Sequence, residues 1–453
     1  MKIKCALVLS LALCALFYGK AMAQEWGEAT GSSDGSSISI KTSPLGQRAT
    51  ARELFGSERG YIHPFVSVGG YYTDNLYNVD EDEVASPREE SEWVGTITPG
   101  IWLAFPASRQ QLLQMSTQNI SPGGLEISRF KTDAERRSQA YALYSAEFNF
   151  HKNFPGEDVV NHRAEGMLLH NFRGGLTVEL ADVFEINHDE YATNVGSQRD
   201  EFKSNIVSLL GNYQISSKLR VRADFSLFSL NYDNAARNGF RDRDDTAVSG
   251  YVFFKVRPKT SLFLEYEFVD VVYDQDFSPD SVEHHYFGGV QWDVSAKSRG
   301  RFKAGYGQKD FDDPTIKDSD DFLLEFQFDH RFSPKTSGYI QAYRKTNETD
   351  VGEYKEIFTD SLQLGYAQKI RTKLNGAVNL YYVRDSYRGR GQTNGIQIDD
   401  RKDDYYSAGF SLGYDLQEWL ALSLGYTFTL RDSNFNIFDY KDNTTFLSLT
   451  TAL

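Results

Sequence analysis

The side chains with most chemical reach in this chain are its eight histidines and its 63 aspartates and glutamates. His151, His162 and His188 recur near the same end of three successive segments, with Asp189 and Glu190 beside the last. Imidazole and carboxylate together make a ligand set for a transition metal. Their spacing follows no metal motif, and Glu283-His284-His285 adds none, so no metal is assigned. Catalysis needs a nucleophile, a base and an orienting group that converge. No serine or aspartate here has a local context that marks it, so the chain reads as a non-enzyme with no cofactor implied. Acid clusters at Asp80 to Glu83, Asp274-Asp276-Asp280, Asp312-Asp313 with Asp318-Asp320-Asp321, and Asp399-Asp400 with Asp403-Asp404 offer oxygen ligands. They would suit divalent cations bridging to anionic sugars, or merely solvate their loops. Gly389-Arg390-Gly391 lacks the context of a phosphate cradle.

These residues must be positioned by strands. Leu262, Leu264, Tyr266 and Phe268 alternate with Phe263, Glu265 and Glu267; after a loop, Tyr286, Gly288, Val290 and Trp292 alternate with His285, Phe287 and Gln291. Successive strand residues point to opposite faces, so each such segment has an apolar and a polar side. Tight connections such as Arg257-Pro258-Lys259-Thr260 and Ser333-Pro334-Lys335-Thr336 alternate with long ones at 188–201, 233–245, 347–355 and 386–403. Repetition of that unit from Tyr61 to Leu453 predicts an all-β fold, a transmembrane antiparallel up-and-down β-barrel of about eighteen strands, with sixteen to twenty allowed. The stretch 106–138, interrupted by Pro122-Gly123-Gly124, reads as an enlarged periplasmic connection or a broken strand. The last strand, ending at Leu453, is expected to pair with the first and close the cylinder, because unpaired backbone in hydrocarbon is costly.

Bulk properties agree with that placement. Lys2 and Lys4, an apolar run from Ala6 to Tyr18, and Ala21-Met22-Ala23 read as a signal peptide over 1–23. Residues 24–60, with Gly31-Ser32-Ser33-Asp34-Gly35, read as a flexible periplasmic segment, and Thr50 to Phe55 as one possible helical turn. Both cysteines, Cys5 and Cys14, fall within the signal, which leaves no thiol for redox chemistry. The net charge of −15 becomes more negative still without Lys2, Lys4 and Lys20, so nucleic acid is excluded as a partner. Mean hydropathy is only −0.49, as expected when alternate residues alone meet lipid. The 27 Tyr and 32 Phe would furnish aromatic girdles at the lipid interfaces.

The polar face is where a passage would be lined. On the assigned phase it carries Glu179 and Glu185, then Arg220, Arg222 and Asp224, then Glu265 and Glu267. Further round come Arg301 and Lys303; Glu325, Asp329 and Arg331; Tyr343; Tyr381; and Arg431. A pore for simple ions tends to gather one sign of charge in a ring. Mixed signs with amides and tyrosines suit a hydrophilic solute such as a glycan, or pair with one another for structure.

The chain resembles the outer-membrane beta-barrel porin type 2 proteins. The likeness is carried by Phe65 to Tyr77 with its Tyr72-Thr73-Asp74-Asn75 element, by Glu92 to Gly100 ending Thr98-Pro99-Gly100, and by Asn161-His162-Arg163-Ala164 and Leu176 to Asp182. The long 106–138 stretch departs from the family pattern. So does a terminal Leu453 where many barrels end on Phe, a position that bears on the signal for the barrel assembly machinery. Some members of the family are associated with exopolysaccharide. The resemblance therefore implies an outer-membrane location in a Gram-negative bacterium, contact with outer-membrane lipid, export of a polysaccharide, and a periplasmic polysaccharide-export protein as partner. A general diffusion porin and a non-conducting anchor or adhesin remain alternatives.

Overall fold

Alternation of apolar and polar side chains fixes which face of each strand meets lipid, and eighteen such strands form one sheet. A computed structural model describes residues 61–80, 89–105, 115, 117–129, 137–189, 199–234, 239–275, 278–295, 297–349, 354–389, 392–393, 396–397 and 400–452. The expected signal peptide, the lead at 24–60 and its helical turn lie outside the described residues. The first nine strands are β1 (Ile62–Thr73), β2 (Glu92–Phe105), β3 (Ser138–His151), β4 (Val159–Asn171), β5 (Leu176–His188), β6 (Glu201–Gln214), β7 (Leu219–Tyr232), β8 (Arg243–Arg257) and β9 (Thr260–Tyr273). The second nine are β10 (Ser281–Ser295), β11 (Ser298–Phe311), β12 (Ser319–Ser333), β13 (Thr336–Asn347), β14 (Tyr354–Arg371), β15 (Leu374–Gly389), β16 (Arg401–Gln417), β17 (Leu420–Ser433) and β18 (Tyr440–Ala452). A two-stranded ribbon, Gln392–Thr393 with Ile396–Gln397, lies between β15 and β16.

Each strand pairs antiparallel with its chain neighbours, and β1 pairs with β18 from Phe65↔Ala452 to Thr73↔Thr444. The sheet is therefore a closed antiparallel barrel. Closure removes every edge, which is what permits a sheet to sit in hydrocarbon. On the inner side of the seam the Ser67 and Thr450 hydroxyls share a hydrogen bond of 2.9 Å. Deleting Tyr440–Ala452 strips the partner from both β1 and β17. The truncated protein is expected to give no heat-modifiable, compact band on an SDS gel; a surviving band would show that the seam is dispensable.

The outer face carries the large apolar side chains: Leu264 is 71% exposed, with Trp93, Phe254, Phe322 and Leu447 also exposed. Tyrosine rings meet laterally there in tilted pairs, as in Tyr266–Tyr286 (5.3 Å) and Tyr382–Tyr406 (5.2 Å). Short turns join the strands at one end of the cylinder, the turn end, and long loops at the other, the loop end. One connection breaks this rule. Residues 106–137 join β2 to β3 at the turn end yet are as long as any loop, and part of this stretch is found inside the barrel.

Candidate functional site

The polar face of the strands is the inner wall, and its side chains converge on Met115 and residues 117–129. Sequence explains the shape of this inward segment. Pro122-Gly123-Gly124 forms a 3-10 turn in which Gly123 and Gly124 adopt φ of +72° and +74°, a region glycine enters without steric cost. A Cβ on Gly124 would strike the ring of Phe228 on β7. The turn is tied by Gly124 N–H donating to Ser121 O (2.8 Å) and Gln118 N–H donating to Gly124 O (3.0 Å). Its apolar residues are few: Met115 packs with Ala181, Val183, Phe202 and Tyr232, and Ile120 with Tyr354, Ile357 and Tyr387.

Polar contacts supply the rest of the hold, and they come from widely separated strands. On one side, Thr117 Oγ1 donates to Glu185 Oε2 (2.6 Å) and shares a hydrogen bond with Ser204 Oγ (2.7 Å). Arg163, itself paired with Glu165 (2.7 Å) and Glu185, donates to Met115 O (2.7 Å). At the top of the segment, near the loop end of β13, Glu348 N–H donates to Ile120 O (2.6 Å) and Ser121 Oγ to Asn347 Oδ1 (3.3 Å). Gly123 N–H donates to Asp245 Oδ2 (2.9 Å), a carboxylate also held by Arg243 (3.1 Å). Lys345 reaches Ser121 Oγ, Leu125 O (3.1 Å) and Glu126 O (2.8 Å).

The lower part is a knot of ion pairs. Arg129 pairs with Glu179 on β5 and donates to Ser208 Oγ on β6 (3.1 Å). Its carbonyl accepts from Arg222 on β7 (3.0 Å) and Arg301 on β11 (3.3 Å). Arg222 is clamped in turn by Asp224 (2.8 Å) and lies over the Tyr251 ring (4.9 Å). Glu325 accepts from both Ser128 N–H (3.1 Å) and Ser128 Oγ (2.9 Å). Lys303 bridges Ser128 Oγ (2.6 Å), Glu265 (2.7 Å) and Glu325 (3.3 Å). Tyr343 OH donates to Glu126. Charges buried together are tolerable only when each has partners, and here each of them does. Between the segment and the wall remains a cavity of about 110 Å³ lined in part by Glu267, Glu283, His285 and Lys345. His285 is gripped at both ring nitrogens, by Glu267 (3.0 Å) and Glu283 (2.9 Å).

All fifteen residues singled out on the polar face lie on the inner wall, but not all meet. Glu179, Glu185, Arg222, Asp224, Glu265, Arg301, Lys303, Glu325 and Tyr343 surround the segment; Glu267 lines the cavity. Arg220 stands nearer the turn end, over Phe253 (4.1 Å) and bonded to Gln291 (3.0 Å). Asp329 and Arg331 flank the turn end of β12, and Tyr381 lies on β15 opposite Gln363. Arg431 sits toward the loop end, paired with Asp403 (2.6 Å). The histidines that recur at one end of three segments do not come together: His151 is buried in the inner wall, whereas His162 is on the lipid side, bonded to Tyr144 OH (2.9 Å). Among the described residues no group of three metal-ligating side chains converges. Sequence reasoning missed Arg129, Glu126 and Ser128, because nothing in 106–138 marks an inward path. It also missed Arg163, Glu165 and Asp245, which the same alternation rule would have found.

A profile of the family described as "Putative beta-barrel porin 2" matches residues 139–453, so β1, β2 and the inward segment precede the match. No curated protein matches the chain. Among solved structures the chain is similar to the siderophore receptor PirA from Pseudomonas aeruginosa (8% identity over 88% of this chain and 81% of that one, TM-score 0.41). It is also similar to OccK3 (OpdO) of the same organism (11%, 86% and 95%, TM-score 0.39) and to OccAB4 of Acinetobacter baumannii (13%, 87% and 99%, TM-score 0.39). Scores this low carry no residue correspondence.

Proposed function

We propose, from the premise that this chain belongs to the beta-barrel porin 2 family, that it is a gated passage for exopolysaccharide across the outer membrane of a Gram-negative bacterium. The observation that carries this reading is the inward segment bolted across the lumen. A cylinder of about eighteen strands is wide enough for an aqueous channel when nothing fills it. Here residues 117–129 take hydrogen bonds and ion pairs from strands as far apart as β5 and β13, so the segment occupies part of the lumen. An exit for a long polymer must be shut between chains, and an inward segment held by many contacts can supply that closure.

The hold is of a kind that can be released. The segment is fastened chiefly by polar groups that water or a polar cargo can satisfy, and its removal need not unravel the strand ladder. Short turns face the periplasm in such barrels and long loops face outward. On that orientation both attachments of the segment, at Phe105 and Ser138, are periplasmic. That is where a periplasmic polysaccharide-export protein would engage, with lipid around the barrel and the assembly machinery inserting it. Removing the gene from its host is expected to abolish surface glycan while synthesis continues; unchanged surface glycan overturns export. A steady, large conductance of the purified protein in a planar bilayer would instead identify a diffusion porin.

A further inference from the structure

Charge is unevenly distributed around the inner wall. Ionised side chains stand at mid-strand on β4, β5, β7, β9, β11 and β12, among them Arg163, Glu179, Arg222, Glu265, Lys303 and Glu325, and these help to grip the inward segment. On β15 to β18 and on β1 and β2 the pattern changes. Their mid-strand inward positions hold hydroxyls, amides, glycines and aromatic rings, such as Asn379, Ser411, Thr427, Ser448, Ser67 and Thr98. Inward charges on these strands are confined to the ends, with Asp385, Asp403, Arg431, Asp442 and Glu92 toward the loops and Asp415 at the turns.

The register builds these groups into continuous rows. Thr98 faces Ser67, which faces Thr450; in the next row Thr96 faces Gly69, which faces Ser448, which faces Ser423. Gly425 leaves its space to the Phe446 ring, which fills what a Cβ there would need. Within this wall Asn379, Ser411 and Ser423 are half-buried, so their polar side chains reach the lumen, whereas Ser67, Thr98 and Ser448 are buried.

We infer that this uncharged wall, from β15 round to β2, is the track for the cargo, and that the cargo is a neutral polysaccharide. The inference rests on the passage reading above and names its substrate. Sugar hydroxyls donate and accept alike and so can exchange partners from one Ser or Thr to the next. Aromatic rings offer an apolar face to sugar C–H groups. Such contacts are individually weak and repeated along the path, which lets a chain enter and still leave. An acidic polymer finds no mid-strand counter-charge on this wall, and the cations at its loop end and across the lumen already have carboxylate partners.

The test uses the full-length Arg129→Ala protein, in which the segment is loosened, in a planar bilayer with oligosaccharides as blockers. Neutral maltooligosaccharides are expected to interrupt the current at lower concentration than oligogalacturonates of equal length. Combining Asn379→Ala, Ser411→Ala and Ser423→Ala should raise the blocking concentration of the neutral series by about tenfold. Ser411→Ala alone carries the same test, with a smaller shift, if the triple variant does not fold. Equal or better block by the acidic series overturns the inference while the passage reading stands. An unchanged blocking concentration in the variant does the same. If Arg129→Ala protein passes no current at all, the passage reading falls and this inference with it.

Discussion

Replacing Arg129 by alanine is expected to raise the open probability of the barrel in single-channel recordings by on the order of a hundredfold. Arg129 is the residue through which the most strands reach the inward segment: its guanidinium binds Glu179 and Ser208, and its carbonyl takes Arg222 and Arg301. Removing one partner of a buried ion pair costs roughly 3–5 kcal/mol, because the other is left uncompensated. Glu179, only 4% exposed, is that residue here. Withdrawal of the segment lets water reach its carboxylate, so most of the cost falls on the closed form. About 3 kcal/mol of such bias corresponds to about a hundredfold in the closed-to-open ratio. Adding Glu179→Gln to Arg129→Ala removes the stranded charge and should recover part of the closure. Recordings indistinguishable from wild type would show that the ion-pair knot does not hold the barrel shut.

Oxidation should close what that substitution opens. The Thr117 and Ser204 side-chain oxygens lie 2.7 Å apart, one on the segment and one on β6. Two β-carbons that carry oxygens this close are near the separation of about 3.5–4.5 Å that a disulfide spans. Thr117→Cys with Ser204→Cys, placed in the Arg129→Ala background, would therefore tether the segment to the wall. Beyond Cys5 and Cys14 the chain has no cysteine, so the engineered pair has no competitor outside the first residues. Current is expected to fall to the wild-type closed level under oxidant and to return with dithiothreitol. An oxidised protein with the bond verified by mass, yet still conducting, would exclude residues 117–129 as the closing element.

The barrel was legible because a strand's two-residue period needs no knowledge of its neighbours. Leu262, Leu264 and Tyr266 against Phe263, Glu265 and Glu267 fix both the face and the phase of β9, and the same reading placed Arg222, Lys303 and Glu325 on the inner wall. Strand number followed from parity once 106–138 was kept as one connection. The path of that connection was not legible. Its contacts are made one at a time with strands that are distant in sequence, such as Ser128 with Glu325 and Gly123 with Asp245, and no local period encodes them. The glycine pair announced a turn, but a turn in a periplasmic loop and one threaded into a lumen have the same local sequence. The uneven distribution of charge was hidden for a related reason. Asn379, Thr427 and Thr98 become neighbours of one surface only when the cylinder is rolled up and its first and last strands meet.

The way the segment is threaded has a consequence for the cell. Its two ends continue into Phe105 and Ser138, both on the same rim of the cylinder. A bolt hung from one side can be drawn back only toward that side. On the orientation proposed above that rim is periplasmic, so a partner that withdraws the segment has to hold it from the periplasm, against contacts that reach up to Asn347 and Glu348. If the passage exports, command of its opening therefore sits on the side from which the cargo would be loaded.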